Sequence, residues 1–203
     1  MLWDCVLAHG KRVHFTRAFY STDFSGEVLP RTVYVKSTNY MFYDYRGTML
    51  PLGLDFSNCS TTGTDEYSAA FNLFGWATEL TEIYDIKLPV MAQYRQTFAY
   101  LRKCKTIGFP IKVHANTVFK DAFFDARGLE NITFEGVIGQ NGLDLHWSTK
   151  LTADSIRSLI NALSAETTGL TVTLSQAARE AAFTDEEWAA LIATKPNWTI
   201  SLV

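Results

Sequence analysis

Three phenylalanines are each followed, at offsets of +6 and +9, by a small apolar residue and an isoleucine. Phe74 leads to Leu80 and Ile83, Phe98 to Cys104 and Ile107, and Phe123 to Leu129 and Ile132. The leading residues stand 24 and 25 positions apart, and a looser copy runs from Phe42 to Leu52 and Leu54 with one extra residue. A unit this short buries no apolar face alone, so units recurring at such a period must stack on one another. The pattern predicts a coil in which each turn lays down one short strand, around Ile83, Ile107 and Ile132. Each leading Phe then packs under the neighbouring turn.

The C-terminal third has its own rhythm. Segments 143–145 (LDL), 170–174 (LTVTL) and 198–202 (WTISL) start 27 and 28 residues apart and alternate in polarity, the mark of half-buried strands. Between the first two, Ile156, Leu159, Ile160 and Leu163 fall on one face of a helix. Thr152 is its N-cap and Gly169 a stop towards its far end. Between the second two, Thr184 and Glu187 carry a capping-box signature. Asp185, Glu186 and Glu187 suit the positive end of the helix dipole, Trp188, Leu191 and Ile192 supply the apolar face, and Pro196 ends the helix. This order predicts parallel strands joined by right-handed crossovers. Segments 132–134 and 143–145 are separated only by a stretch holding Gly136, Gly139 and Gly142, which admits a short turn of the coil or a hairpin.

With 47% hydrophobic residues the chain is not disordered as a whole, and no Pro/Ser-rich linker divides it. One continuous structure is expected over residues 41–203, with irregular repeats at 41–138 and longer strand–helix repeats at 139–203. Residues 1–40, which hold Phe15, Phe19, Phe24 and the VYV of 33–35, read as an N-terminal capping or docking segment. His9 and His14 sit there beside Lys11 and Arg12, as in a solvated terminus. The balance of 18 basic and 21 acidic side chains gives a net charge of −3, no field for nucleic acid or a membrane surface. Cys5, Cys59 and Cys104 form no CxxC pair and no Cys/His cluster, so neither a disulfide framework nor a metal site is indicated. They read as reduced thiols packed like small apolar residues. No stretch approaches the ~20 apolar residues of a membrane span. The first residues, with Asp4 and no long apolar run, do not read as a signal peptide.

The copies YSAAFNLFGWATELTEI, YRQTFAYLRKCKTIGFP and FKDAFFDARGLENITF resemble the leucine-rich repeats of bacterial surface proteins of the BspA type. They depart from that pattern in lacking its recurring Cys and in uneven repeat length. The phrases LENITFEG, NGLDLHWSTKL, SIRSLINALS, GLTVTLS and FTDEEWAALIATKPNWTISL are similar to the C-terminal ends of leucine-rich-repeat proteins of gut bacteria and their phages or prophages. The resemblance spans residues 68–203. It implies an α/β leucine-rich-repeat solenoid with short parallel strands and helical or irregular crossovers, a scaffold that presents a surface rather than a catalytic centre.

The histidines are the first candidates for chemistry. Asp144 and His146 are two apart, on one face of a strand, where a carboxylate beside an imidazole forms a general-base pair. No nucleophile in a recognisable motif accompanies them, so a solvated, hydrogen-bonded pair is the favoured reading. Adjacent Glu186 and Glu187 diverge on a helix, and capping already accounts for Glu187. There is no GxxxxGK[ST], GxGxxG after a strand, HExxH or GxSxG, and no cofactor is implied. Trp188 and Trp198 are expected in the core; Trp147 is the most open to binding. The polar column between the inward strand positions runs through Tyr84, Gly108, Thr133, Asp144, Thr171, Thr173, Thr199 and Ser201, with Glu135 and His146 nearby. It suits polar or glycan-like contacts or serves as an ordinary solvated sheet face. A strand at 198–202 leaves an edge to be covered by a second copy, a partner or the preceding helix.

The expected function is therefore a non-catalytic interaction or structural protein that meets a protein or glycan surface, carried on a virion by its resemblance to phage proteins. A bacterial cell-surface adhesin-like module, and a hydrolase using Asp144 and His146, are the alternatives.

Overall fold

Phe42, Phe74, Phe98 and Phe123 have no exposed surface and form one column. Neighbouring rings lie 5.9, 5.9 and 5.3 Å apart between centroids, at 16°, 21° and 15°, the offset stack that aromatic quadrupoles prefer. The computed structural model describes residues 13–14, 35–37, 39–50, 54–57 and 70–203. Within it, each column residue is flanked, two positions before and two after, by a residue in the left-handed region. The pairs are Tyr40 and Asp44, Asn72 and Trp76, Gln96 and Tyr100, Asp121 and Asp125, with φ between 52° and 62°. Asp and Asn accept this conformation readily, whereas it strains Trp, Tyr and Gln. The strain is held by backbone bonds between copies. Phe42, Phe74 and Phe98 donate their N–H to the carbonyls of Leu73, Thr97 and Ala122, at 2.9, 3.0 and 2.9 Å. The flanking amides of Asp44, Trp76 and Tyr100 donate in turn to Gly75, Ala99 and Phe124.

The strands are short and pair in parallel. In chain order the elements are β1 (Val13–His14), β2 (Val35–Ser37), β3 (Leu54–Asp55), β4 (Glu82–Ile83), β5 (Ile86–Lys87), β6 (Thr106–Val113), β7 (Asn131–Gly136), β8 (Asp144–Leu145), α1 (Ala153–Ala162), β9 (Leu170–Leu174), α2 (Gln176–Ala182), α3 (Asp185–Ile192) and β10 (Trp198–Leu202). They form sheets β1-β2, β3-β5, β4-β6-β7 and β10-β9-β8. Ile83 lies opposite Ile107, and Thr106 opposite Asn131, so the +9 isoleucines do mark the strands. Buried hydroxyls stitch separate stretches of the core: Thr97 Oγ1 donates to the Ala70 carbonyl at 2.5 Å, Thr117 Oγ1 to Met91 at 2.9 Å and Ser148 Oγ to Ala126 at 2.9 Å. Each satisfies a carbonyl that would be costly to bury alone. The mixed α/β arrangement has few helices and no closed barrel among the described residues.

Helix α1 follows the expected apolar face, with Ile156, Leu159 and Ile160 fully buried and Thr152 accepting from the Ser155 N–H as N-cap. It does more than pack. Ile132 and Phe134 of β7 donate their N–H to Ser155 Oγ and Ser158 Oγ, at 3.0 and 2.9 Å. The helix thereby occupies the edge to which another strand would bond, the ladder ends at β7, and β8 opens a separate sheet. A hairpin between 132–134 and 143–145 does not form; Ile138 instead bridges in parallel to Leu163. The single polar column expected along the strand face is correspondingly split between two sheets.

Three other expectations need revision. Gly169 does not stop α1, which ends at Ala162; it lies in the loop before β9. Helix α2, capped by Ser175, was not expected, since its apolar residues are all alanine and leave no large stripe to detect. In the looser copy Leu54 pairs with Ile86, not Ile83, while Leu52 lies outside the described residues. Also outside them are Cys5, Cys59, His9, Phe15, Phe19, Phe24, Val33 and Tyr34; of residues 1–40, the parallel pair β1–β2 and the 39–40 turn are described. Trp188 and Trp198 are buried as expected. Strand β10 bonds to β9 and is the outer strand of its sheet among the described residues.

The capping box of α3 is complete: Glu187 donates its N–H to Thr184 Oγ1, and Thr184 donates its N–H to Glu187 Oε2. Thr184→Ala is expected to destabilise by about 1 kcal/mol, or about 2–4 °C in a thermal melt. The Thr184 backbone N–H holds the Glu187 carboxyl below its ordinary value. A depressed carboxylate stabilises fully above its unfolded value and loses that effect as pH falls through the folded one. Melts of the parent and Glu187→Gln should therefore differ at neutral pH and converge in acid.

Candidate functional site

Three of the four turns that bury a column phenylalanine also bring another ring towards the surface. Trp76 and Tyr100 stand two residues after Phe74 and Phe98; Phe124 directly follows Phe123. The Trp76 and Tyr100 rings lie 4.0 Å apart, Tyr100 meets Phe124 edge-on at 5.3 Å, and Phe124 meets Trp147 edge-on at 5.8 Å. Trp76 and Phe124 are 43% and 40% exposed, so the rings form a stripe across the surface rather than a core.

Trp147 is held from several sides. The Arg127 guanidinium lies over its ring at 4.9 Å, and the His146 ring packs against it at 4.6 Å. Arg127 is fixed by Asp125, whose Oδ1 accepts from Arg127 Nε while Oδ2 accepts from Arg102 Nε at 2.7 Å. Asp125 is buried, and two half-exposed guanidiniums meet the requirement that a buried carboxylate be paired.

Beside Phe124 and Trp147 opens a cavity of about 550 Å³. Its lining also includes Asp144, Thr171, Thr173, Lys120, Asp121 and Asn141. Asn141 Oδ1 accepts the Thr171 N–H at 2.7 Å, which fixes the amide and leaves its NH2 as a donor. Asp144 Oδ1 accepts the His146 N–H at 3.0 Å and lies 2.7 Å from Nδ1. That contact turns Nδ1 of the imidazole towards the carboxylate. One lysine against two aspartates makes the cavity mildly negative.

Of the residues expected to form the binding face, Asp144, Thr171 and Thr173 come together at this cavity, with His146 supporting Asp144. Thr133 and Glu135 lie on β7 of another sheet, and Tyr84 in the connection between β4 and β5. The exposed Tyr84 ring covers Gly108, where a Cβ would stand 2.1 Å from Tyr84 Cδ1. Thr133 lines a shallow groove of about 250 Å³ between β6, β7 and the start of α1. Glu135 is exposed on β7, level with Lys112 of β6. Trp147, the tryptophan most open to binding by sequence, does line the cavity, whereas Phe124, Lys120, Asp121 and Asn141 were not expected. An aromatic two residues after the buried Phe in two successive copies was the signal available for the stripe.

Cys104 offers no nucleophile: burial pushes its thiol up to about 12, so it stays protonated at neutral pH. Among the described residues no group of three or more His, Cys, Asp and Glu is placed to hold a metal ion, and no helix is long and apolar enough to cross a membrane. Compared with known protein families, curated proteins and solved structures, the chain matches none.

Proposed function

We propose that this chain is a non-catalytic interaction protein of the leucine-rich-repeat type, a solenoid of stacked turns that presents its surface to a protein or glycan. One observation carries the proposal: Phe42, Phe74, Phe98 and Phe123 recur with the same ring stacking and the same left-handed flanks, and the first three with the same amide bonds to the next copy. Stacked units of this kind act through an extended face built from successive copies, and the aromatic stripe ending in the cavity is such a face. The resemblance of residues 129–203 to phage-associated repeat proteins supports a virion setting, with a bacterial cell surface as the alternative. Flanking tail or capsid genes would support the first; an export signal or anchor in the same reading frame would support the second.

The contact between Asp144 and His146 is the observation that favours a hydrolase instead. Yet Ser148, the nearest hydroxyl in sequence, is buried and donates to the Ala126 carbonyl at 2.9 Å, and Cys104 is protonated. Panels of chromogenic esters, glycosides and peptides should show no turnover above the blank, for the parent and for Asp144→Ala/His146→Ala alike. Turnover in the parent that vanishes in the double variant would make the protein an enzyme.

A further inference from the structure

We infer that the cavity beside Phe124 and Trp147 binds a short neutral carbohydrate, an assignment that rests on the interaction-scaffold reading and names its ligand. A volume of about 550 Å³ falls within the range of small-molecule sites, roughly 300–1,000 Å³. The lining combines the aromatic rings of Phe124 and Trp147 with the polar groups of Asp144, Thr171, Thr173 and Asn141. A pyranose calls for both, with a C–H face that packs on an aromatic ring and a girdle of hydroxyls. Each hydroxyl both donates and accepts. The carboxylates of Asp121 and Asp144 accept from hydroxyls in charge-assisted bonds, the Asn141 amide donates, and the threonines do either.

The groups are already in place. The Thr171 N–H pins Asn141, His146 pins Asp144, and Arg127 and His146 hold Trp147, so little side-chain freedom is lost on binding. Two carboxylates against one lysine disfavour phosphate and acidic sugars. An extended peptide finds no free length of β9 here. That strand, which supplies Thr171 and Thr173, pairs along its length with β10; on its other side Thr173 and Leu174 pair with β8 and the Thr171 N–H is taken by Asn141, which blocks strand addition to it.

The full chain should be applied to an array of neutral gluco-, manno-, galacto- and N-acetylglucosamine oligosaccharides, with a sialylated oligosaccharide and a random peptide pool alongside. Hits are titrated by calorimetry. At least one neutral oligosaccharide is expected to bind, to weaken tenfold or more in Phe124→Ala and in Asn141→Ala, and to bind unchanged in Met49→Ala, an exposed apolar residue that belongs neither to the stripe nor to the cavity. No neutral hit, a hit that survives Phe124→Ala, or preferential capture of the acidic sugar or the peptides overturns the assignment. A thermal melt of each protein separates the two readings. A cooperatively melting chain that binds no neutral sugar leaves the stacked scaffold standing and removes the ligand, whereas failure of the scaffold is read from the core variants.

Discussion

Phe98→Ala is expected to destabilise the chain by about 3–5 kcal/mol, the cost of emptying a buried phenylalanine site, and to lower the thermal midpoint by roughly 10–15 °C at ~2–4 °C per kcal/mol. Phe98 sits third in the column, stacked on Phe74 and Phe123 and also against Tyr94. Its removal leaves rings on both sides with nothing to pack against. Collapse cannot fill the gap, because the amides flanking Phe98 are bonded to the next copy. The exposed Phe124 is the control. Its truncation should cost markedly less, about 1 kcal/mol, because it loses only edge-on contacts with Tyr100 and Trp147. Equal effects at the two sites would mean that Phe98 is not the buried member of a stack.

The second large effect is expected at Gly136. It adopts φ +113°, and a Cβ there would stand 2.0 Å from the Val113 carbonyl oxygen. That oxygen belongs to the partner strand, since Val113 and Gly136 are opposite one another in β6 and β7. Gly136→Ala therefore strains its own backbone and collides with an atom that cannot rotate away. About 3 kcal/mol or more of destabilisation follows, checked by denaturant unfolding. The consequences extend to the site, because residues 137–143 leave β7 through the Ile138–Leu163 bridge and deliver Asn141 and Asp144 to the cavity. A Gly136→Ala chain as stable as the parent would contradict this register of β6 on β7.

Large side chains at regular spacing are what made the fold legible. The phenylalanine column, the +9 isoleucines, the apolar face of α1 and the capping box of α3 are written in residue type and spacing, and each occurs where the spacing puts it. What escaped depends on contacts made across space. Ser155 and Ser158 look like ordinary polar positions of a helix, yet their hydroxyls end the sheet at β7 and so divide the expected binding column. Helix α2 has only alanines to bury. Asp125 reads as one acid among basic neighbours, until folding buries it between Arg102 and Arg127. At the cavity, the strand positions Asp144, Thr171 and Thr173 were visible from their alternation. Phe124 was not: the +6 and +9 offsets single out Phe123 for the column, whereas the contacts of its neighbour's ring with Tyr100 and Trp147 are made only across the fold.

Residue-resolved amide hydrogen exchange on the intact chain tests the stacking most directly. If the copies are bonded as described, the amides of Asn72, Phe74, Trp76, Gln96, Phe98 and Tyr100 exchange slowly as one set, at rates like those of the β6–β7 ladder. Exchange of these six at the rate of an unstructured peptide, while β6 and β7 remain protected, would contradict the stacked-turn architecture on which the proposed binding face depends.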